Sequence, residues 1–190
     1  MKLILIRHGK TAANENHLYC GSTDIPLSAD GIAGLEALKH AAAYPVPRGA
    51  RFITSGLKRC RETLDILFGT AESETESGFC EMDFGAFEMR SYEELKNVPE
   101  YIEWISGDNE SNVCPGGESG AIMKARVLAA LERVIKENKN AVIITHGGVI
   151  AAIMDHLFPQ ERKNRYEWQP ECGKGYAIDI SAGKYKEMPR

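Results

Sequence analysis

The chain has 190 residues, 43% hydrophobic and 26% charged, with a formal net charge of −4. This is ordinary globular composition, long enough to bury a core without staples. The acidic balance argues against the basic face that nucleic acid requires, yet leaves room for a small anion in a locally positive pocket.

The first element is the apolar run KLILIRHG. It is too short for a signal core or for a membrane span, which needs about 20 apolar residues, so a protein without a membrane segment is expected. Continuous apolar runs bounded by glycine suit strands buried on both faces. After Ser28, an N-cap residue, Ile32, Leu35, Leu38 and Ala42 recur near one helical face. RFITSG is a second strand. Leu57, Cys60, Leu64, Leu67 and Phe68 then mark a helix that Gly69 stops. From about 70 to 120 the pattern breaks into a polar stretch, with short helical pieces around Tyr92–Leu95 and Glu100–Ile105. Insertions of this kind are often lids or substrate-binding elements. Met123, Val127, Leu128, Leu131, Val134 and Ile135 form the next helical stripe. NAVIITHGG is a third buried strand, Val149 to Leu157 a more buried helix, and GYAIDIS a last strand, placed at an edge.

Strands alternating with helices predict an α/β protein, a mostly parallel sheet with helices on both faces. One domain over residues 1–190 is expected, with an excursion at about 70–120. The five cysteines, Cys20, Cys60, Cys80, Cys114 and Cys172, are odd in number and contain no C-x-x-C pair, so neither a zinc site nor a disulfide framework is predicted. Reduced thiols fit a cytoplasmic protein.

Open α/β sheets bind ligands beyond the carboxyl ends of their strands. Those ends carry Arg7 and His8, then Ser55, then Thr145 and His146, and Arg59 follows in the first turn of the second helix. Each residue alone has an ordinary structural explanation. Together, two arginines and two imidazoles make a pocket for a tetrahedral anion, because arginine forks match phosphate oxygens. A neutral histidine in such a pocket can act as a nucleophile. His17, His40 and His156 lack this setting and are assigned to surface or packing roles.

The stretch LILIRHGKTAANENHLYCGSTDIPLSADG resembles the opening signature of the histidine phosphatase superfamily, also called phosphoglycerate mutase-like. Its Arg-His-Gly, Asn, Gly and Asp-x-x-Leu elements correspond to Arg7-His8-Gly9, Asn14, Gly21 and Asp24 to Leu27. TSGLKRCRETLDIL, EMDFGAFE, PGGES and ITHGGVI resemble the later blocks, in family order. The resemblance implies the phosphoglycerate mutase-like three-layer sandwich and a metal-independent phosphomonoesterase without a cofactor, acting on a small phosphorylated metabolite. It implies that His8 takes the phosphoryl group as phosphohistidine while Arg7, Arg59 and His146 hold it. Glu81 would be the general acid, though Asp83 and Glu88 lie close enough in sequence to leave that choice open. Asn14, Cys20 and Gly21 would line the substrate side.

Three positions depart from the family pattern: Lys10, Cys20 and Met89, the last where many relatives carry glycine. Within the family the segments YCGSTDIPL and EMDFGAFE are most similar to the α-ribazole phosphatase group, which makes α-ribazole phosphate a candidate substrate. The alternative is a phosphoglycerate mutase using the same phosphohistidine. A non-catalytic phospho-ligand binding protein on this fold is the reading from a different class. Oligomeric state is not legible in the sequence.

Overall fold

A computed structural model describes residues 1–41, 44–69, 72–108 and 110–189. Ala42, expected on the first long helix, and residue 70, the nominal start of the excursion, lie outside these. The strands are β1 (Lys2–Arg7), β2 (Arg51–Thr54), β3 (Ser73–Thr75), β4 (Ala141–Thr145), β5 (Gly175–Asp179) and β6 (Lys184–Met188). They form one six-stranded sheet in the order β3-β2-β4-β1-β5-β6. β3, β2, β4 and β1 run parallel, and β5 and β6 are antiparallel additions.

Successive strand residues face opposite sides of a sheet. Leu3 and Leu5 of β1 therefore join Ala141 and Ile143 of β4 under α6 (Gly120–Lys136) and α7 (Gly147–Leu157). Ile4 and Ile6 join Val142 and Ile144 against α2 (Ala29–Ala41) and α3 (Lys58–Phe68). This is the three-layer α/β arrangement predicted. Ser28 caps α2 as expected, its Oγ accepting from the Gly31 N–H at 3.0 Å. Gly69 closes α3 with φ +77°.

The structure corrects several expectations. Residues 175–179 are not an edge strand, because β6 pairs outside them. β6 reads KYKEM and β3 reads SET; both are too polar to announce themselves as strands. The short helix α1 (Ala12–Glu15) is also new, closed by a capping box from Thr11. Ile32 is exposed, and the buried positions of α2 are Gly31 and Leu35.

The stretch expected to be a polar excursion begins with edge strand β3. It then carries α4 (Tyr92–Leu95) and α5 (Pro99–Ile105). Its polar composition conceals Phe79, Phe87, Leu95, Tyr101 and Trp104, all buried in the same cluster as α6 and α7.

Met89 explains one departure from the family pattern. It sits at φ +58°, and its N–H donates to the Tyr19 carbonyl at 2.7 Å. A side chain in that left-handed region costs about 1–2 kcal/mol, which glycine avoids. Glycine also loosens the unfolded chain. Met89→Gly is therefore expected to raise stability by about 0.5–1 kcal/mol, read as a higher urea midpoint at unchanged slope. A lower midpoint would show that the methionine side chain contributes packing that outweighs the strain.

Candidate active site

The parallel strands β1, β4 and β2 end at one edge of the sheet, and the sequence-predicted residues meet there. Arg7 is in register with Thr145, and the His8 N–H donates to the Thr145 carbonyl at 2.9 Å. The His8 and His146 rings stand edge to face with centroids 5.1 Å apart. Arg59, only 1% exposed, reaches up from the first turn of α3. Its Nε–H donates to His146 Nδ1 at 3.4 Å, and its terminal nitrogens donate to the Thr23 and Gly21 carbonyls at 2.8 and 2.6 Å.

The hydrogen bonds define each ring's tautomer. His8 Nδ1–H donates to the Gly9 carbonyl at 2.7 Å, leaving Nε2 as the nitrogen with a lone pair. His146 accepts at Nδ1 from Arg59, so its Nε2 carries the proton and donates to Ser55 Oγ at 3.0 Å. Both rings are neutral near neutral pH. Burial, then the Arg59 charge, push His8 down to about 3, with Arg7 adding to the lowering and the Gly9 carbonyl opposing it. Burial, then His8 and Arg59, hold His146 well below the usual histidine range.

This burial has a consequence for stability. Between about pH 3 and the unfolded value of 6.5, the unfolded chain binds the His8 proton and the folded chain does not. Stability is full above pH 6.5 and is lost as pH falls. At pH 5 this single group lowers stability by about 2 kcal/mol relative to pH 7.5. His8→Asn is expected to lose about that much less on acidification, measured by urea unfolding at the two pH values. Equal losses in the two proteins would mean that His8 is protonated in the fold.

Arg7 donates from one terminal nitrogen to the Pro170 carbonyl at 2.9 Å, and its Nε is a buried donor with no partner among the described residues. A buried guanidinium N–H without an acceptor is costly, and an anion's oxygen would satisfy it. The guanidinium lies against Gly147, where a Cβ would come within 3.3 Å of Arg7 Nε.

Glu81 stands at the start of α7. Its Oε2 accepts from the Gly148 N–H at 2.9 Å and its Oε1 from the Met82 N–H at 3.0 Å. A Cβ on Gly148 would fall 2.5 Å from Glu81 Oε1, so the glycine pair following His146 is what admits both Arg7 and Glu81. The two neighbouring carboxylates are engaged elsewhere. Glu88 accepts from the N–H groups of Gly21, Ser22, Thr23 and Phe84 and from the Thr23 hydroxyl. Asp83 accepts from Ser22 Oγ at 3.0 Å and the Gly85 N–H at 2.9 Å.

The three residues expected on the substrate side are placed less directly. Asn14 Oδ1 accepts from the Thr11 N–H and hydroxyl, both at 3.0 Å, so only its NH2 group could reach a ligand. Gly21 is buried with both backbone groups used, its N–H on Glu88 and its carbonyl on Arg59. It holds Arg59 and offers no group of its own. Cys20 is half-buried, and burial raises its thiol above the usual value against the opposing pull of Arg59. His17, His40 and His156 are exposed.

Sequence reasoning passed over Arg126 of α6. One of its terminal nitrogens donates to the Gly78 and Cys80 carbonyls at 3.0 and 2.6 Å, and the other to the Glu81 carbonyl at 2.7 Å. Its Nε pairs with Glu118 at 2.7 Å. Arg126 thus holds the turn that presents Glu81, and Glu118 of the PGGES block holds Arg126. No signal in one sequence marks a helix arginine as pinning three distant carbonyls. Ser55, at the end of β2, was placed at this edge without a role; it anchors His146.

Among the described residues no group of three or more His, Cys, Asp or Glu side chains is arranged to hold a metal ion, and no helix is long and apolar enough to cross a membrane. A surface groove of about 720 Å³ between residues 45–47 and β5–β6 includes none of the cluster.

Two buried imidazoles, two arginines and a carboxylate thus meet at the carboxyl edge of the parallel strands, a set of side chains whose chemistry suits a tetrahedral anion. The model of the histidine phosphatase superfamily, branch 1, matches residues 3–186, and the chain belongs to that family. It is a phosphomonoester hydrolase of this class. An adenosylcobalamin/alpha-ribazole phosphatase from Salmonella typhimurium is 29% identical over 96% of this chain and 92% of the relative. The structure of a putative alpha-ribazole-5'-P phosphatase from Escherichia coli superposes with a TM-score of 0.86 at 26% identity, covering 100% of this chain and 95% of that one. A phosphoglycerate mutase from Thermus thermophilus superposes at 0.72 with 31% identity, covering 94% and 93%.

Proposed function

We propose that the protein hydrolyses a small phosphate monoester through a phosphohistidine on His8, without a metal, and that α-ribazole 5'-phosphate is its substrate. The observation that carries the mechanism is His8 itself, a neutral ring with Nδ1–H held by the Gly9 carbonyl. That arrangement directs the Nε2 lone pair at phosphorus. The phosphoryl oxygens bind Arg7, whose Nε otherwise lacks an acceptor, and the charge of Arg59. One oxygen competes with Ser55 for the His146 Nε2 proton.

In the first step the Nε2–P bond forms, the P–O bond breaks, and the protonated Glu81 carboxyl gives its proton to the departing alkoxide. In the second, water attacks phosphorus, the N–P bond breaks, and the Glu81 carboxylate takes the water's proton. Phosphate leaves and Glu81 is again protonated. The fixed guanidinium groups stabilise the charge that spreads over the equatorial oxygens in both steps. The five cysteines, all free, support a reducing and hence cytoplasmic setting.

The substrate assignment rests on the alpha-ribazole phosphatases among the similar proteins. Phosphate release in EDTA tests it, using α-ribazole 5'-phosphate, phosphoglycerates and 4-nitrophenyl phosphate. Release fastest from α-ribazole 5'-phosphate is expected. Phosphoglycerate interconversion with little free phosphate would make the protein a mutase. Failure to release phosphate or interconvert any ester would leave a ligand-binding role.

A further inference from the structure

α3 turns Cys60, Leu64 and Leu67 inward, and Thr63 stands among them, fully buried. A hydroxyl on an inward helix face costs free energy unless it finds partners. Both partners of Thr63 belong to the active site. Its Oγ1–H donates to the Arg59 carbonyl one turn back, at 2.6 Å, and its Oγ1 accepts from the Gly9 N–H at 3.0 Å. The direction of each bond is fixed, because a carbonyl only accepts and an N–H only donates.

Gly9 is the residue whose carbonyl holds His8 Nδ1–H at 2.7 Å. Glycine lacks the Cβ that restrains other residues, so the direction of its carbonyl depends on what holds its peptide groups. Here the N–H is tied to Thr63, and a Cβ on Gly9 would fall 2.6 Å from Leu35 Cδ1 and 3.2 Å from Leu27 Cδ2. The other partner, Arg59, carries its guanidinium to His146 and to the Gly21 and Thr23 carbonyls. One hydroxyl therefore spans the residue that orients the nucleophile and the helical turn that carries the phosphate-binding arginine.

A neutral imidazole has two tautomers, and only the one with the proton on Nδ1 leaves a lone pair at Nε2. The Gly9 carbonyl selects that tautomer, and Thr63 fixes Gly9.

We propose that Thr63 is a positioning residue for phosphoryl transfer, its hydroxyl holding Gly9 so that His8 keeps the reactive tautomer at a set distance from Arg59. This role rests on the phosphohistidine reading above. Thr63 is uncharged and buried, so it acts through Gly9 and Arg59 rather than on substrate. A hydroxyl that only satisfied a buried N–H would support stability and leave each folded molecule reacting at the wild-type rate.

The test compares three variants. Thr63→Val replaces the hydroxyl by a methyl group of similar size, Thr63→Ala removes it without adding bulk, and Thr63→Ser keeps it. Thr63→Ala covers the case in which a methyl group so close to the Arg59 carbonyl prevents folding. The kcat/KM for 4-nitrophenyl phosphate, taken per folded molecule, reports phosphoenzyme formation. It is expected to fall about 10-fold to 100-fold in Thr63→Val and Thr63→Ala, and to return to within about threefold of wild type in Thr63→Ser. The inhibition constant of inorganic phosphate should change less than about threefold, because the arginine side chains that bind it keep their own partners. Nitrogen-15 spectra of histidine-labelled protein supply a second readout that needs no substrate. His8 should show a protonated Nδ1 and a bare Nε2 in wild type and in Thr63→Ser, and a mixture of tautomers in Thr63→Val and Thr63→Ala. Either a wild-type kcat/KM or an unmixed His8 tautomer in those two variants, once folded, overturns the proposal. An equal loss in Thr63→Ser assigns the effect to the methyl group and overturns it as well. Absence of a phosphoenzyme in wild type overturns the phosphohistidine reading instead, and the tautomer spectra then decide by themselves whether Thr63 orients the His8 ring.

Discussion

Replacing His8 by alanine is expected to reduce phosphate release by about 10⁴-fold or more, because loss of a covalent nucleophile removes the two-step path. The substitution deletes a ring held by one carbonyl and touching His146 edge to face. The surrounding strand bonds are backbone bonds of β1 and survive. The variant should therefore fold and still bind phosphate through Arg7 and Arg59. Rapid acid-free quenching with a radiolabelled ester should trap a phosphoenzyme in wild type and none in His8→Ala. Turnover retained above about 1% in a preparation free of other phosphatases would remove His8 as the nucleophile.

Glu81→Gln separates the proton donor from the rest of the site. An amide preserves the shape beside Gly148 but cannot deliver a proton to a leaving alkoxide. General acid catalysis contributes about 10²–10⁴-fold, and most where the leaving group is a poor one. Turnover of an alkyl ester such as a nucleoside 5'-phosphate should fall by roughly that factor. Phosphoenzyme formation from 4-nitrophenyl phosphate, whose leaving group is already a stable anion, should fall far less. Equal losses for both esters would assign the acid role to another group.

Glu88 is the poorer candidate because four backbone N–H groups and a hydroxyl already converge on its carboxylate. Its loss should unfold the 21–23 loop and disturb Arg59, which donates to the Gly21 and Thr23 carbonyls of that loop. Such a defect lowers stability, and the thermal midpoint with it, whichever ester is used.

What could be read from the chain alone was whatever depends on short range. Buried parallel strands must be apolar on both faces, so KLILIR and AVIIT stood out, and their ends marked one sheet edge. The polar residues at their ends, Arg7 closing the first run and His8 and His146 following the two, were conspicuous because burial of such groups requires partners. Helices α3, α6 and α7 followed from periodicity for the same local reason.

Tertiary structure alone decided what depends on partners distant in sequence. β3 and β6 become strands because β2 and β5 offer them backbone groups, not because their side chains are apolar. The polar stretch from 77 to 118 folds onto the core through a few aromatics whose neighbours lie on α6 and α7. Glu81, Asp83 and Glu88 are alike in sequence. Only the fold gives Glu88 to the Gly21 loop, Asp83 to Ser22 and Gly85, and Glu81 to the start of α7 beside His146. Arg126 was invisible for the same reason. A charged side chain's role is set by which carbonyls and carboxylates surround it, and that is determined when the layers close.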